Sequence, residues 1–417
     1  MKKLCTLLLL LCSLSVSACA QWYLFPGKKK QQQTETPADS MTAFRDSLLM
    51  RDARTQQDTL ALADSLAAET PEPIVQEDVF VLDIPSVIHI GLVLPLQASE
   101  AKPSTNFLDL YSGALLALRD LGAAGLRADL QVFDSADGKT AIPSSLIDES
   151  DVIIGPVGYE EMLQALPLCI PGKVLISPLE PKTAPLAAEQ PMVQAPAPWT
   201  AQIDDLVRWI GQDVLPGAPI YVVRDTSTVV QGEQSAYLMA RLQDRMVNYK
   251  SVVSVREIPF EKNRPVNVLI ASDRDNFITS VVKTLGIEGA RNGNVTLYGT
   301  SRTRTNGTAQ TDLHHLNAHL TSAYFIDYDD PAVEKFILAY RALFQNEPGS
   351  FAFQGYDAMH YFVSICAQYG RQWYKKLPYY NERGLQSDFR FNDETPRVNQ
   401  AVRRIVYNPD LSTSVAR

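Results

Sequence analysis

Short runs of apolar residues alternate with amphipathic stretches over most of the chain. Residues 87–94 form a near-continuous apolar run that Pro95 ends, as expected of a strand buried on both faces. Residues 107–121 have helical spacing and end near Gly122 and Gly125. Further apolar runs, each leading into a polar loop, predict strands over residues 130–134, 152–156, 174–178, 220–225 and 266–272. This alternation predicts an α/β chain with two successive βαβ series, in which parallel sheets are flanked by helices.

The chain begins with the pattern of an export signal. Lys2 and Lys3 precede an apolar run over residues 4–14, and small residues then lead to Cys19. A membrane-anchoring helix is the alternative, but about fourteen apolar or small residues are fewer than the roughly 20 needed to span a bilayer core. The sequence therefore predicts a signal peptide over residues 1–18.

Residues 19–85 differ in composition from the rest of the chain. A Lys/Gln cluster over residues 28–33 is followed by a stretch rich in Thr, Glu, Pro, Ala and Asp. This composition predicts a disordered tether. Residues 41–66 also carry partial helical spacing, so a short docking helix within the tether is the alternative.

Charge and cysteine usage narrow the possible functions. The 417 residues carry a formal net charge of −9, so we expect no nucleic-acid partner. Apart from the N-terminal segment, only Cys169 and Cys366 are present, too few for a disulfide framework or a cysteine-rich metal module. Their apolar surroundings favour two buried thiols, with a single disulfide as the alternative.

Seven short motifs occur in order along the body of the chain. They occupy residues 90–96, 111–118, 132–135, 153–156, 176–178, 336–348 and 355–358. Their order and wording resemble the type I periplasmic-binding-protein fold of the leucine/amide-binding and receptor ligand-binding superfamily. The Tyr-Ser-Gly-Ala-Leu-Leu-Ala-Leu helix at 111–118 looks closest to a cell-envelope branch often joined to a peptidoglycan-binding LysM module, although no LysM sequence is evident.

The resemblance implies a non-enzymatic body with two lobes that face each other across a cleft. Lobe 1 would comprise residues 86–198 and 324–369, and lobe 2 residues 199–323 and 370–417. Residues 16–19 resemble a bacterial lipobox, which implies that Cys19 is acylated and anchors the chain to a lipid bilayer. We therefore expect a lipoprotein of the bacterial cell envelope, at the outer membrane and facing the periplasm.

The residues expected to bind a solute follow the carboxyl ends of the predicted strands, where loops and helix N-termini expose backbone amides. They are Gln97, Gly158, Tyr159, Ser177, Thr183, Asp225, Thr226 and Ser272. Residues 157–161 and 179–182 lack the hydroxyl pattern of amino-acid binders in this family, so an α-carboxylate clamp does not follow from the resemblance. Glu160 and Glu161 either favour a cationic or neutral ligand or stabilise a helix dipole.

Motifs for catalysis, metals and cofactors are weak or missing. Ser99 and Lys102 fit Ser-x-x-Lys but lack the partner motifs of penicillin-recognising acyl transferases, and no phosphate-binding glycine loop is present. His315 and His319 have metal-capable spacing if they share a helix, but no third ligand is evident. We predict no enzyme, no metal and no cofactor.

Two functions stay open at this point. The first is binding of a small solute, such as an amino acid or peptide, in the cleft between the lobes. The alternative is a protein-interaction or peptidoglycan-related regulator that resembles activator lipoproteins of penicillin-binding proteins and has lost solute binding. The predicted partners are accordingly the lipid bilayer and either a small solute or an envelope protein.

Overall fold

Parallel strands form the centre of the first half of the body in the computed structural model. The structure describes residues 82–416, except 216–217, 219, 228–231 and 262–263. Among these residues the first sheet has five parallel strands in the order β2-β1-β3-β4-β5. They are β1 (Ile88–Leu94), β2 (Ala128–Asp134), β3 (Val152–Ile154), β4 (Leu175–Ser177) and β5 (Met192–Gln194).

The second sheet has seven strands within the described residues, in the order β14-β13-β10-β9-β8-β6-β7. They are β6 (Ile220–Arg224), β7 (Tyr249–Val252), β8 (Val266–Ala271), β9 (Val295–Thr300), β10 (His319–Ser322), β13 (Arg403–Tyr407) and β14 (Thr413–Ala416). Strands β6 to β10 are parallel, whereas β13 and β14 are antiparallel. A small hairpin of β11 (Glu382–Arg383) and β12 (Asp388–Phe389) precedes them.

Helices connect the strands. They are α1 (Thr105–Ala123), α2 (Ser144–Glu149), α3 (Tyr159–Ala165), α4 (Trp199–Asp213), α5 (Glu233–Asp244), α6 (Asp275–Asn292), α7 (Gln310–His315), α8 (Pro331–Phe344) and α9 (Ser350–Tyr369). The six predicted strands and the predicted helix over 107–121 are confirmed, each boundary differing by no more than two residues. In the described part of the chain, no helix is long and apolar enough to cross a membrane.

The segment over residues 370–417 divides its contacts between the two sheets. Trp373, Leu377 and Phe389 are buried in the core of the first sheet, and the Trp373 ring lies 5.6 Å from that of Phe362. Strands β13 and β14, in contrast, extend the second sheet. The predicted lobe boundaries stay a prediction, but the contacts favour moving the start of the last lobe 2 segment beyond residue 391.

The predicted signal peptide, Cys19 and residues 19–81 of the predicted tether lie outside the described residues. The tether's last residues do contact the body. Arg371 donates hydrogen bonds of 2.8 Å to the Asp83 carboxylate and to Asp151, and its backbone N–H donates to the Asp83 carbonyl oxygen at 3.0 Å. Asp83 is therefore fixed to lobe 1.

Both cysteines of the body are free thiols. Cys366 is buried and Cys169 is partly exposed. Burial raises the pKa of Cys169 to about 11 and the pKa of Cys366 to about 12. The structure agrees with two thiols rather than a disulfide, but of the two predicted buried thiols only Cys366 is buried.

Three segments connect the two sheets, and we call them the first, second and third crossovers. They are residues 195–198, 323–330 and 390–402. The end of β5 pairs with the third segment, because Gln194 and Val398 form a parallel bridge. Asn399 donates to the carbonyl oxygens of Ala195 at 2.8 Å and Asp388 at 2.7 Å. These hydrogen bonds tie the first and third crossovers together.

Arg403 joins the second crossover to the β11–β12 hairpin, whose Asp388 also contacts the third crossover. Its side chain is only 1% exposed. It donates to the carbonyl oxygens of Phe325 (2.5 Å) and Gly384 (2.6 Å) and forms an ion pair with Asp388 (2.6 Å). The lobes are thus connected through a buried polar cluster.

His360 on α9 should make the stability of the protein depend on pH. A hydrogen bond of 2.6 Å to Glu382 raises the pKa of His360, against the opposing effect of burial. The stabilisation is fully present below the ordinary His pKa of about 6.5 and is lost as the pH rises through the raised value. We expect His360→Gln to lower the urea midpoint at pH 5.5 and to have a smaller effect at pH 9. His315→Gln, at an exposed helix end, is the matched control, and equal losses for His360→Gln at both pH values would contradict the prediction.

Candidate functional site

Gln97 lies in the loop after β1, where its backbone is fixed by Asp134. The Gln97 and Ala98 amides donate to the Asp134 carboxylate at 3.0 and 2.8 Å, and Ala136 donates at 2.9 Å. Burial opposes ionisation, but these amide hydrogen bonds lower the pKa of Asp134. The loop is therefore held in place by a charged carboxylate at the end of the first sheet.

Gly158 and Tyr159 form the start of α3. Glu161 is buried, and its carboxylate accepts from the Ser135 hydroxyl at 2.8 Å and lies 3.5 Å from the Gly158 amide. A third-position Glu that reaches back to the N-cap amide stabilises the start of a helix. This geometry favours the helix-dipole interpretation of Glu161 over a role in binding a cationic ligand.

Ser177 and Thr183 lie together but are closed off from solvent. Both are 0% exposed, as is Gln194. The Thr183 hydroxyl is 2.9 Å from the Ser177 hydroxyl, 2.7 Å from the Glu180 carbonyl oxygen, and bonded to the Gln194 amide oxygen. Because these groups satisfy one another, they have no role in the binding site that we propose below.

Asp225 and Ser272 meet at the carboxyl ends of β6 and β8. The Ser272 hydroxyl donates to Asp225 at 2.8 Å, and Arg274 binds the same carboxylate through two nitrogens at 2.6 and 2.7 Å. The Arg274 hydrogen bonds hold the pKa of Asp225 well below its usual range, against the effect of burial. Thr226 is exposed beside this cluster. The carboxylate charge at this position is compensated within the protein.

The structure thus brings four of the eight predicted residues together, as two separate pairs. Ser177 contacts Thr183 in lobe 1, and Asp225 contacts Ser272 in lobe 2. Among the described residues no hydrogen bond joins one pair to the other. Convergence of all the predicted residues on one pocket stays a prediction.

A cavity that the sequence analysis missed lies at the carboxyl end of β9. Its volume is about 460 Å³. We call it the crevice, and its walls include Trp199, Gln202, Thr300, Ser301, Arg302, Arg304 and Tyr324. These residues belong to the end of β9 and the loop after it, the start of α4, and the second crossover. The crevice is therefore next to the segments that connect the lobes.

The polar groups of the crevice are fixed by neighbouring hydrogen bonds. The Ser301 hydroxyl donates to the Gln202 side-chain oxygen at 2.8 Å. Arg304 donates to the Ser322 hydroxyl at 3.1 Å, and its guanidinium lies 6.0 Å from the centre of the Phe325 ring. The arrangement presents aromatic rings and two cationic side chains to one space, which suits binding rather than acid–base chemistry.

The histidine pair does not form a metal site on one helix. His315 is the last residue of α7, whereas His319 begins β10. His319 stacks on Trp209 with ring centroids 4.7 Å apart and lies 3.1 Å from Asp213. Over the described residues there is no group of three or more His, Cys, Asp or Glu that could hold a metal ion.

Comparison with known proteins relates the chain to solved structures only through its fold. No family model and no curated protein sequence matches the chain. A protein from Rhodospirillum rubrum, named as a branched-chain amino acid ABC transporter, has a TM-score of 0.55 and 17% identity, with 79% of this chain and 100% of that chain covered.

Two further structures have lower scores. A substrate-binding protein from Desulfitobacterium hafniense in complex with Leu has a TM-score of 0.47 and 13% identity, covering 79% of this chain and 100% of its own. A branched-chain amino acid transporter substrate-binding protein from Streptococcus pneumoniae in complex with isoleucine has a TM-score of 0.44 and 14% identity, covering 79% and 99%. The sheets, the crossovers and the R. rubrum match confirm the predicted fold class: the chain has the two-lobed α/β fold of type I periplasmic binding proteins.

Proposed function

We propose that the protein is a non-enzymatic binding protein that recognises a small solute in the crevice. The position of the crevice carries this proposal. In open parallel sheets, ligands bind beyond the carboxyl ends of the strands, and the crevice lies at that end of β9. Its volume of about 460 Å³ is within the range of small-molecule sites.

The crossovers give the crevice a means of closing. Tyr324 belongs to the second crossover, whereas Trp199 packs on Tyr237 in the same lobe as Arg302 and Arg304, so a change in the angle between the lobes moves the Tyr324 ring relative to the two arginines. A solute bound in the crevice would favour the arrangement in which Tyr324 covers it, through the extra contacts. The fold shared with the R. rubrum protein supports this mode of action.

Tryptophan fluorescence tests solute binding in the crevice. We expect a ligand found by screening amino acids, dipeptides, sugars and organic acids to change the emission of the full chain, because Trp199 lines the crevice. The change should be lost in Trp199→Phe and kept in Trp209→Phe, which alters a buried ring on the same helix. No emission change with any class of compound, or a change that survives in Trp199→Phe, would count against binding at this place.

Anchoring at Cys19 is a separate part of the proposal. It is supported by the lipobox-like residues 16–19 and the polar segment that follows them. A thioether-linked lipid would attach the protein to the bacterial cell envelope, and several acyl chains on one cysteine hold far more firmly than a single one. Intact-mass measurement of membrane-extracted protein should find an acylated chain that starts at Cys19, and an unmodified chain that retains residues 1–18 would contradict it.

One observation favours the alternative of an envelope regulator without a solute. The lobe 1 hydroxyls of Ser177 and Thr183 are fully buried and bonded to one another, which leaves lobe 1 with fewer free groups for a ligand. Pull-down from envelope extracts and purified sacculi distinguishes the two functions. Capture of a peptidoglycan synthase or of sacculi, with no ligand in the screen, would favour the regulator, whereas capture of a transporter permease would favour solute delivery.

A further inference from the structure

We propose that the crevice selects a small organic anion, whose carboxylate or phosphate oxygens are held by Arg302 and Arg304 and whose flat apolar part lies between Trp199 and Tyr324. This inference rests on the proposed function and names the class of solute. It differs from the cationic or neutral ligand that was one of the two interpretations of Glu160 and Glu161.

Arg304 carries a charge that no carboxylate of the described residues neutralises by direct contact. Among the described residues it forms no ion pair with a carboxylate, and it contacts the Ser322 hydroxyl at 3.1 Å and the Phe325 ring at 6.0 Å. A guanidinium offers five donors in a planar fork, so donors remain for a ligand. The crevice wall that contains it includes no Asp or Glu among the described residues.

Arg302 supplies a second guanidinium with an unused donor. One terminal nitrogen donates to the Asp273 carbonyl oxygen and lies 3.3 Å from the Asp275 carboxylate. Its Nε is buried and has no hydrogen-bond partner. Buried donors without acceptors are uncommon because they lose hydration without compensation. Arg302 also pairs with Asp275, so its terminal nitrogens rather than the buried Nε would meet the oxygens of a ligand.

Asp275 pairs with Arg302 at 3.3 Å, and two other nearby acidic residues have partners of their own. Asp225 is bound by Arg274 through two nitrogens. The Asp273 carboxylate accepts the amides of Gln234 and Ser235 at 3.0 and 2.8 Å, at the start of α5. The lining of the crevice is therefore cationic in a chain whose formal net charge is −9. Such a local reversal of sign concentrates anions at the site.

The aromatic walls define the rest of the ligand. The Trp199 ring packs edge-to-face on Tyr237, with centroids 5.3 Å apart, so its orientation is fixed. Tyr324 is 53% exposed on the opposite crossover and is available to cover a ligand. Flat apolar groups bind well against such rings, while planar guanidinium groups match the two oxygens of a carboxylate or phosphate.

Matched probes test the charge that the crevice requires. We would titrate the full chain by calorimetry with 3-phenylpropanoate, its neutral amide, 3-phenylpropylamine and phenyl phosphate. We expect the anions to bind at least about 10-fold more tightly than the amide, because charged hydrogen bonds are stronger than neutral ones. The two anions distinguish carboxylate from phosphate as the preferred source of the oxygens.

Variants then assign the effect to the crevice. Arg304→Gln should weaken anion binding by about 10- to 100-fold, and Arg304→Lys by less, because it keeps the charge but loses the fork. Arg291→Gln removes the same charge from the far end of α6, where the side chain is 69% exposed, and should change nothing. Circular dichroism checks that each variant is folded.

The outcomes separate this inference from the proposed function. Equal or tighter binding of the amide or amine, or unchanged anion binding by Arg304→Gln, overturns anion selection, and solute binding stands if Trp199 still reports it. If none of the probes and none of the wider screen binds, both the proposed function and this inference are overturned.

Discussion

Replacing Gly113 by alanine should lower the free energy of unfolding by about 3 kcal/mol, because the added methyl group overlaps backbone rather than a movable side chain. Gly113 lies on α1, and its Cβ would collide with the carbonyl oxygen of Ala352 on α9. A rotamer change cannot relieve such a collision, so the two helices would have to separate over the first sheet. Urea denaturation followed by circular dichroism measures the loss.

Gly122→Ala on the same helix is the matched control. A Cβ at Gly122 meets no atom within 4 Å. Alanine is favoured over glycine inside helices by about 1 kcal/mol, so this variant should be neutral or slightly stabilising. Similar losses for Gly113→Ala and Gly122→Ala would show that helix contact is not the cause.

The reciprocal position on α9 strengthens the test. A Cβ at Gly355 would overlap the Leu110 carbonyl oxygen of α1, so Gly355→Ala should be about as destabilising as Gly113→Ala. Once the helices have separated for one methyl group, the second meets less resistance. The double variant should therefore lose less stability than the sum of the single losses.

The apolar runs predicted much of the fold because they record burial on both faces. All seven residues of β1 except His89 are buried, and the four apolar residues at the start of β6 are buried too. Continuous runs of this kind can be recognised without knowledge of their neighbours. The helix that carries Gly113 was equally visible, but the partner that makes its glycine necessary was not.

The crevice could not be predicted because the strands that carry it are polar in sequence. In β9 (VTLYGT) and β10 (HLTS), hydroxyl and imidazole groups interrupt the apolar pattern. In the structure Thr321 is fully buried, and its hydroxyl donates to the Gln202 carbonyl oxygen at 2.9 Å. Without these strands, Arg302 and Arg304 had no strand end to mark them as binding residues.

Several of the predicted site residues lie at or just after strand ends, but whether their side chains are free to bind depends on distant partners. Asp225 lies 49 residues from Arg274, which neutralises it. Thr183 lies 11 residues from Gln194, which takes up its hydroxyl. Position after a strand follows from sequence, whereas the identity of the neighbouring side chain follows only from the packed sheet.

A buried carboxylate, Asp357, lies beside the β11–β12 hairpin that precedes the third crossover. Asp357 on α9 is 3% exposed and accepts amide hydrogen bonds of 2.6, 2.8 and 2.9 Å from Leu385, Gln386 and Ser387. Burial raises the pKa of Asp357 to about 6, although these amides and the charge of Arg403 oppose the rise. The folded state therefore binds a proton more readily than the unfolded state, and stability falls as the pH rises from about 4 through 6.

Arg403→Met should lower the free energy of unfolding by about 3–5 kcal/mol at pH 8, because it leaves buried carbonyl oxygens and the Asp388 carboxylate without their cation. It also removes the charge that favours ionised Asp357, so the pKa of Asp357 rises further. The pH range over which stability is lost then extends upward, and the difference between wild type and variant should be smaller at pH 5 than at pH 8.

Urea denaturation at both pH values, compared with Arg383→Met, isolates the effect of burial. Arg383 forms an ion pair with Asp330 at 2.9 Å, but its side chain is 51% exposed. Exposed pairs contribute about 0–1 kcal/mol, so Arg383→Met should cost little at either pH. Because Arg403 joins the second crossover to the β11–β12 hairpin, its loss should also broaden the range of angles between the lobes, which small-angle scattering would detect. An Arg403→Met variant that is no less stable than Arg383→Met, or equally destabilised at pH 5 and pH 8, would contradict the role assigned to this buried cation.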